Sequence, residues 1–222
     1  HRILHSHQKA YSLLCSNSAL TYKLNLLTNA LKDQYAELIH ELACSGLRVV
    51  EQSTFLRSLL NYFLGCQENF SKLEIMGLQF PNRIGLAAGL DKNGEFPGVS
   101  SALGFGHVEV GTVTPKSQPG NPKPRLFRYP AEKALVNRMG FNNKGAEWLC
   151  QRIKKTYPKG KRFSPLGINI GKMKDTPNEN CIADYVDAFN SVAEQADYIT
   201  INISSPNTPN LRELHDEKFL RP

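Results

Sequence analysis

The stretch Asp197–Asn210, "DYITINISSPNTPN", runs from an apolar segment into a loop crowded with Ser, Asn and Pro. These residues initiate turns, so the stretch reads as a strand that delivers its carboxyl end into a polar loop. Three runs upstream end in the same way. "RIGLAAG" (83–89) passes into "LDKNGE", "HVEVGTV" (107–113) into "TPKSQPGN", and "PLGINIG" (165–171) into "KMKDTPNE". Helical candidates lie between them, "NNKGAEWLCQRIKKTY" (142–157) and "CIADYVDAFNSVAEQA" (181–196). Strand and helix in alternation predict parallel βαβ units.

The polar residues fall at telling places. Lys92, Thr112, Asn169 and Asn202 all stand at or just beyond the carboxyl ends of successive predicted strands. That is where a (β/α)8 barrel builds its active site. An open doubly wound sheet would instead carry a GxGxxG turn after its first strand, and "AAGLDKNG" lacks that spacing. The expected architecture is therefore a (β/α)8 TIM barrel.

Up to Lys72 the pattern is helical. Leu24, Leu27, Leu31, Tyr35, Leu38 and Leu42 recur every three or four residues, with Gly46 as the expected stop. In "STFLRSLLNYFLGC" Ser53 or Thr54 can cap a second helix whose wide apolar face ends at Gly65. These stripes suit two helices packed on the fold, or a helical pair lying in a membrane interface. "LEIMGLQF" (73–80) reads as a short hairpin turning at Gly77. The expected division is a helical region over residues 1–72 and a barrel region over residues 73–222.

Composition narrows the functional classes. The chain has 41% hydrophobic and 21% charged residues, ordinary for a globular protein. No run of 18 apolar residues appears, so any membrane contact is expected to be peripheral. Five scattered cysteines without CxxC spacing argue against a disulfide framework and against a metal site. The net charge of +7 invites an anionic partner. Its basic residues are spread among Pro, Gly and Asn, without interleaved aromatics or a recognition helix, so no nucleic acid is expected. The chain opens with "HRILHSH", without Met, and is expected to come from inside a longer protein.

The motifs "GLAAGLDKNGE", "GFGHVEVGTVTPKSQPGNPKPRLFR", "NRMGFNN", "LGINIGK" and "INISSPNTPNLR" resemble class 2 dihydroorotate dehydrogenase, the quinone-dependent, membrane-associated type. The likeness runs from about Leu73 to Arg212. It implies an FMN enzyme that oxidises dihydroorotate to orotate in pyrimidine biosynthesis and passes the electrons to a quinone. It also implies peripheral attachment to a membrane: the cytoplasmic face of a bacterial inner membrane, or the mitochondrial inner membrane. By the same resemblance, Ser205 is the base that takes a proton from C5 while hydride leaves C6 for the flavin. Class 1 relatives place cysteine there. Asn137, Asn202 and Asn207 would hold the substrate, since one amide both donates and accepts against the edge of a pyrimidine. Arg138, Met139, Gly140 and Phe141 would line its pocket. Ala88, Gly89, Leu90, Asp91 and Lys92 would lie along the FMN ring, with Lys92 also beside the substrate, and Thr112, Asn169 and Asn202 would add polar contacts. Arg128 matches the family's quinone-side arginine.

Two departures set alternatives beside this expectation. The helical segment reads "KDQYAELIH" where the family carries an Asp-Pro-Glu pattern, so no quinone contact is assigned there. Only four βα units can be read, half of what a barrel of roughly 250 residues needs. A related FMN barrel acting on another pyrimidine or acceptor, and a non-catalytic half-barrel, are the competing readings.

Overall fold

The computed structural model describes residues 36–65, 72–217 and 221. Those residues group into two compact units, 36–40 with 124–137, and 41–123 with 138–221. Residues 41–64 thus group with the sheet.

Helix α1 spans Ala36–Glu51 and α2 spans Thr54–Leu64. The early part of the first stripe, Leu24 to Tyr35, lies outside the described residues. Gly46 does not stop α1, contrary to expectation. Glycine inside a helix costs about 1 kcal/mol relative to alanine. Beyond it, Leu47 and Val50 pack with Leu60 around buried Cys44, Phe96 and Val99, and that burial outweighs the local preference. Ser53 caps α2 as expected, its hydroxyl accepting from the Leu56 N–H at 3.2 Å.

Glu51, wholly buried at the end of α1, ties α1 to α2 and α3 (Pro97–Ala102). Its carboxylate accepts from the N–H groups of Gly98 (3.2 Å) and Val99 (2.7 Å) at the start of α3, and pairs with Arg57 at 3.2 Å. Burial pushes its carboxyl up to about 7, against the pull of those two amides and Arg57.

The predicted hairpin forms from β1 (Leu73–Ile75) and β2 (Leu78–Phe80), turning through Met76 and Gly77 at positive φ. The four predicted strands then appear as β3 (Gly85–Leu86), β4 (His107–Val113), β7 (Leu166–Ile170) and β8 (Tyr198–Ile201). They pair in parallel in the order β3-β4-β7-β8. Between β4 and β7 come β5 (Leu126–Tyr129) and β6 (Ala134–Asn137), an antiparallel hairpin that forms a sheet of its own. The sequence reading had not marked it. It belongs to the smaller unit, where Arg125 pairs with Glu37 at 2.9 Å.

Helices α4 (Ala146–Thr156) and α5 (Cys181–Val192) follow β4 and β7, as the βαβ reading requires. Val108, Val110, Leu166, Ile168 and Ile170 project to one face of the sheet and meet Leu149, Ile153, Ala188 and Val192 in the main core. Each such side chain stabilises the fold by about 1.5–3 kcal/mol. Period-two alternation sends the intervening residues, His107, Glu109, Asn169, Tyr198 and Thr200, to the other face. Gly167 leaves room there for its cross-strand partner Tyr198, because a Cβ would run into the phenol ring.

Candidate active site

The carboxyl ends of β4, β7 and β8 are joined by side-chain hydrogen bonds. Thr112 donates its hydroxyl to Asn169 Oδ1 at 2.6 Å. Asn202 Nδ2 donates to Thr112 Oγ1 at 2.9 Å and to Asn169 Oδ1 at 3.2 Å. Below them, Asn169 Nδ2 donates to Glu109 Oε1 at 2.8 Å. Glu109 Oε2 also accepts the hydroxyls of Thr200 (3.0 Å) and Tyr198 (3.3 Å). Burial and the adjacent Glu109 carboxylate hold the Tyr198 phenol well above its usual range, so it remains a donor.

The loop after β3 is stitched to the same place. Gly89 N–H donates to Gly111 O and Gly111 N–H to Asp91 O, both at 2.9 Å. Gly111 has φ +111° and lies against Asn169, a position where a side chain would collide with that residue's backbone. Asp91 has its carboxylate bound to the main chain of the turn that follows. It is buried and accepts the N–H groups of Glu95 (2.8 Å) and Phe96 (2.9 Å), with burial pushing its carboxyl up to about 6. Its side chain thus fixes the turn into α3. Ala88 and Lys92 are half-buried, while Gly89 and Leu90 are exposed. Gly89 takes φ +115°, and a Cβ there would meet nothing within 4 Å.

After β8 the chain turns back on its own side chains. Asn202 Oδ1 accepts the Ser204 N–H at 3.1 Å, and half-buried Ser205 accepts the Asn207 N–H on Oγ at 3.3 Å. The Asn202 carbonyl accepts the Tyr185 hydroxyl at 2.9 Å, and the Ser204 carbonyl accepts Arg212 Nε at 3.0 Å.

Asn121 binds three loops together. Its Nδ2 donates to the carbonyls of Arg138 (2.9 Å) and Asn207 (3.3 Å), its N–H donates to the Met139 carbonyl (3.0 Å), and Lys174 Nζ donates to its Oδ1 (3.1 Å). The predicted residues Arg138, Met139 and Asn207 are therefore linked through one residue, the first and last by its side-chain amide and Met139 by its main-chain N–H. Phe141 is buried and its carbonyl accepts from Gln118 (2.9 Å) and Asn143 (2.7 Å). Gly140 has φ +69° beside Asn121.

Asn137 and Arg128 belong to the smaller unit, on β6 and β5; both are exposed, and Arg128 stands in register with Leu135.

Sequence reasoning missed Glu109, Tyr198, Thr200, Asn121 and Lys172. Lys172 is buried and donates its ammonium to the Thr176 carbonyl at 2.7 Å, with burial pushing its pKa down. A usable signal existed for Glu109 alone: a carboxylate amid "HVEVGTV" is unusual in a strand that feeds a core. A cavity of about 500 Å³ lined by Phe80, Arg162, Phe163 and Asp197 opens at the amino ends of the strands. Barrels place catalysis at the opposite ends, so the hydrogen-bonded cluster is the candidate site.

The chain matches the family described as "Dihydroorotate dehydrogenase" over residues 71–221. It is 50% identical over 191 residues to a dihydroorotate dehydrogenase (quinone) from Saccharophagus degradans, covering 86% of this chain and 53% of the relative. Its counterpart from Cellvibrio japonicus is 58% identical over 142 residues, covering 64% and 40%. The chain spans about half the length of the curated relatives it matches. A crystal structure of the Eimeria tenella enzyme in complex with ferulenol is similar with a TM-score of 0.72 and 38% identity, covering 84% of this chain and 48% of that one. With a parallel α/β sheet of the TIM-barrel type and a family match over most of its length, the chain belongs to the dihydroorotate dehydrogenase family.

Proposed function

We propose that the chain is the N-terminal portion of a quinone-dependent dihydroorotate dehydrogenase, with β3, β4, β7 and β8 as the first four strands of a (β/α)8 barrel. The observation that carries this reading is the hydrogen-bonded cluster of Thr112, Asn169 and Asn202 at three adjacent strand ends, leading directly into the Ser204–Ser205 loop.

The residues fit FMN. Gly89 leaves open space beside a loop whose backbone is fixed to β4, a surface on which a flat ring can lie, and the amides and hydroxyl offer both donors and acceptors to its polar edge. Ala88, Gly89, Leu90, Lys92, Thr112, Asn169 and Asn202 would hold it, while the Asp91 side chain is taken up by the turn into α3. FMN supplies the hydride acceptor. Lys92 provides a fixed cation for an anionic group, while Asn202, Asn207 and the segment Arg138–Phe141 orient dihydroorotate. Ser205 takes the C5 proton as C6 gives up hydride. A serine needs a relay and exclusion of water for this task, and its half-buried position suits it.

Helices α1 and α2 would belong to the quinone and membrane side. In α2 no residue is buried, and Phe55, Tyr62 and Phe63 are 73%, 72% and 70% exposed. Among the described residues no helix is long and apolar enough to cross a membrane, so this face would lie in the interface. Arg128, in the smaller unit, would be the quinone-side arginine. That reading places the protein peripherally on a bacterial inner membrane, or on the mitochondrial inner membrane in a eukaryote.

The test is anaerobic mixing of the full-length protein with dihydroorotate. Flavin absorbance that bleaches, then recovers on addition of a long-tailed quinone, is the expected result. A yellow protein that does not bleach would point to a related flavin barrel with another substrate. A colourless one would point to a non-catalytic fold.

A further inference from the structure

Glu109 lies in the same motif as Thr112 but carries no role in the function proposed above, on which the role assigned to it here rests. Asparagine amides can face either way, and the cluster holds two of them. Glu109 removes the ambiguity. An ionised carboxylate accepts hydrogen bonds and donates none. Asn169 must therefore present Nδ2 to Glu109 Oε1 at 2.8 Å, which turns its Oδ1 toward the other strand ends. That oxygen then takes the Thr112 hydroxyl at 2.6 Å and Asn202 Nδ2 at 3.2 Å. With its hydroxyl hydrogen committed, Thr112 can only accept from Asn202, and does so at 2.9 Å. Asn202 is left with its Oδ1 facing outward, where it accepts the Ser204 N–H at 3.1 Å. Were Asn169 reversed, Asn202 would have to reverse as well, and its amide hydrogens would confront the Ser204 N–H. Thr200 and Tyr198 supply the remaining donors to Glu109 and keep it occupied from the β8 side.

We propose that Glu109 is a positioning residue: as an acceptor-only group beneath the site, it sets the direction of the Asn169–Thr112–Asn202 chain and thereby the orientation of the amide that holds the Ser204–Ser205 loop. Its hydrogen-bond partners are Asn169, Tyr198 and Thr200. Its effect reaches the Ser204–Ser205 loop through polarity passed from strand to strand.

Two measurements on the full-length protein test this. Neutron diffraction from the deuterated, unaltered protein should place the Asn169 deuterons toward an ionised Glu109. An Asn169 oxygen facing a protonated Glu109 would overturn the proposal, whatever the protein's activity. In stopped-flow with FMN-saturated protein, Glu109→Met, which keeps the shape and removes the acceptor, should lower the limiting rate of flavin reduction by at least about 10-fold, as expected when a reacting group is misplaced. Glu109→Gln retains an acceptor for Asn169 in one of its two orientations and should recover most of that loss. A Glu109→Met rate equal to wild type, or a Glu109→Gln rate as low as Glu109→Met, would overturn it too. Should wild type itself fail to oxidise dihydroorotate while the neutron map shows the expected deuterons, the functional reading falls and the role of Glu109 in orienting the chain stands.

Discussion

Asn202 and Ser204 are bound to each other across a two-residue turn, the side-chain oxygen of the first accepting the main-chain N–H of the second at 3.1 Å. The residue that follows β8 is therefore tied directly to the serine loop. Asn202→Asp separates the two jobs of this side chain. The acceptor for Ser204 survives, but the donors to Thr112 and Asn169 are lost and a charge is set against Asn169 Oδ1. In the full-length enzyme we expect weaker FMN retention and flavin reduction slowed by at least about 10-fold, read by gel filtration with flavin absorbance and by stopped-flow.

Ser205→Ala should keep FMN bound and slow flavin reduction by dihydroorotate by at least about 10²-fold, the lower end of what a positioned base contributes. Ser204 presents its backbone rather than its hydroxyl to the contacts described, so Ser204→Ala should cost less. Equal bleaching rates for Ser205→Ala and wild type would remove Ser205 from the base role.

Glu51 makes stability depend on pH in a predictable direction. Its carboxyl, ordinarily near 4.5, is pushed up to about 7 by burial, so the folded state holds the proton more tightly than the unfolded one. The stabilisation is complete below about pH 4.5 and is lost as pH rises through about 7. Between these values the unfolding free energy of wild type should fall, relative to Glu51→Gln, by up to about 1.4 kcal/mol per pH unit. Urea titrations at stepped pH would show it, and parallel curves for the two proteins would contradict it.

Gly167→Ala should destabilise the fold by about 1–3 kcal/mol, because the new methyl group must displace the Tyr198 ring from the inner face of the sheet. The companion change Tyr198→Phe, which keeps the ring, should not relieve it. Thermal melts of the single and double variants decide the matter.

Phe55→Ser with Phe63→Ser should leave flavin reduction by dihydroorotate unchanged and weaken reoxidation by a long-tailed quinone in liposomes, while a small soluble acceptor still works. Arg128→Ala should behave as a milder version. Undiminished turnover with the long-tailed quinone would mean that the apolar face of α2 serves packing instead.

What could be read from the sequence followed the strength of local signals. The four parallel strands and the two helices after them carry clean periodicity, and each lies where its pattern placed it. Thr112, Asn169 and Asn202 were legible because a strand end converts sequence position into spatial position, and they meet. Asp91 also follows a predicted strand, yet its carboxylate serves the turn before α3; direction of a side chain out of a loop is not encoded in spacing. Gly46 misled because propensity is a small term beside the burial of Leu47 and Val50. Asn121 and Glu109 stayed hidden for another reason. Their importance lies in partners 17 to 91 residues away, which only the folded chain reveals.

The order of the parallel sheet has a bearing on synthesis. Each of β4, β7 and β8 pairs with the parallel strand made just before it, since the hairpin β5–β6 forms a sheet of its own. As the chain leaves the ribosome, a newly emerged strand therefore finds its neighbour already present and need not wait for residues still to be translated. The growing edge is always the most recent strand, and the donors on Tyr198 and Thr200 arrive last, closing around a Glu109 that has been in place since β4. The polar chain across the strand ends would thus be assembled in the direction of translation, with its acceptor laid down first.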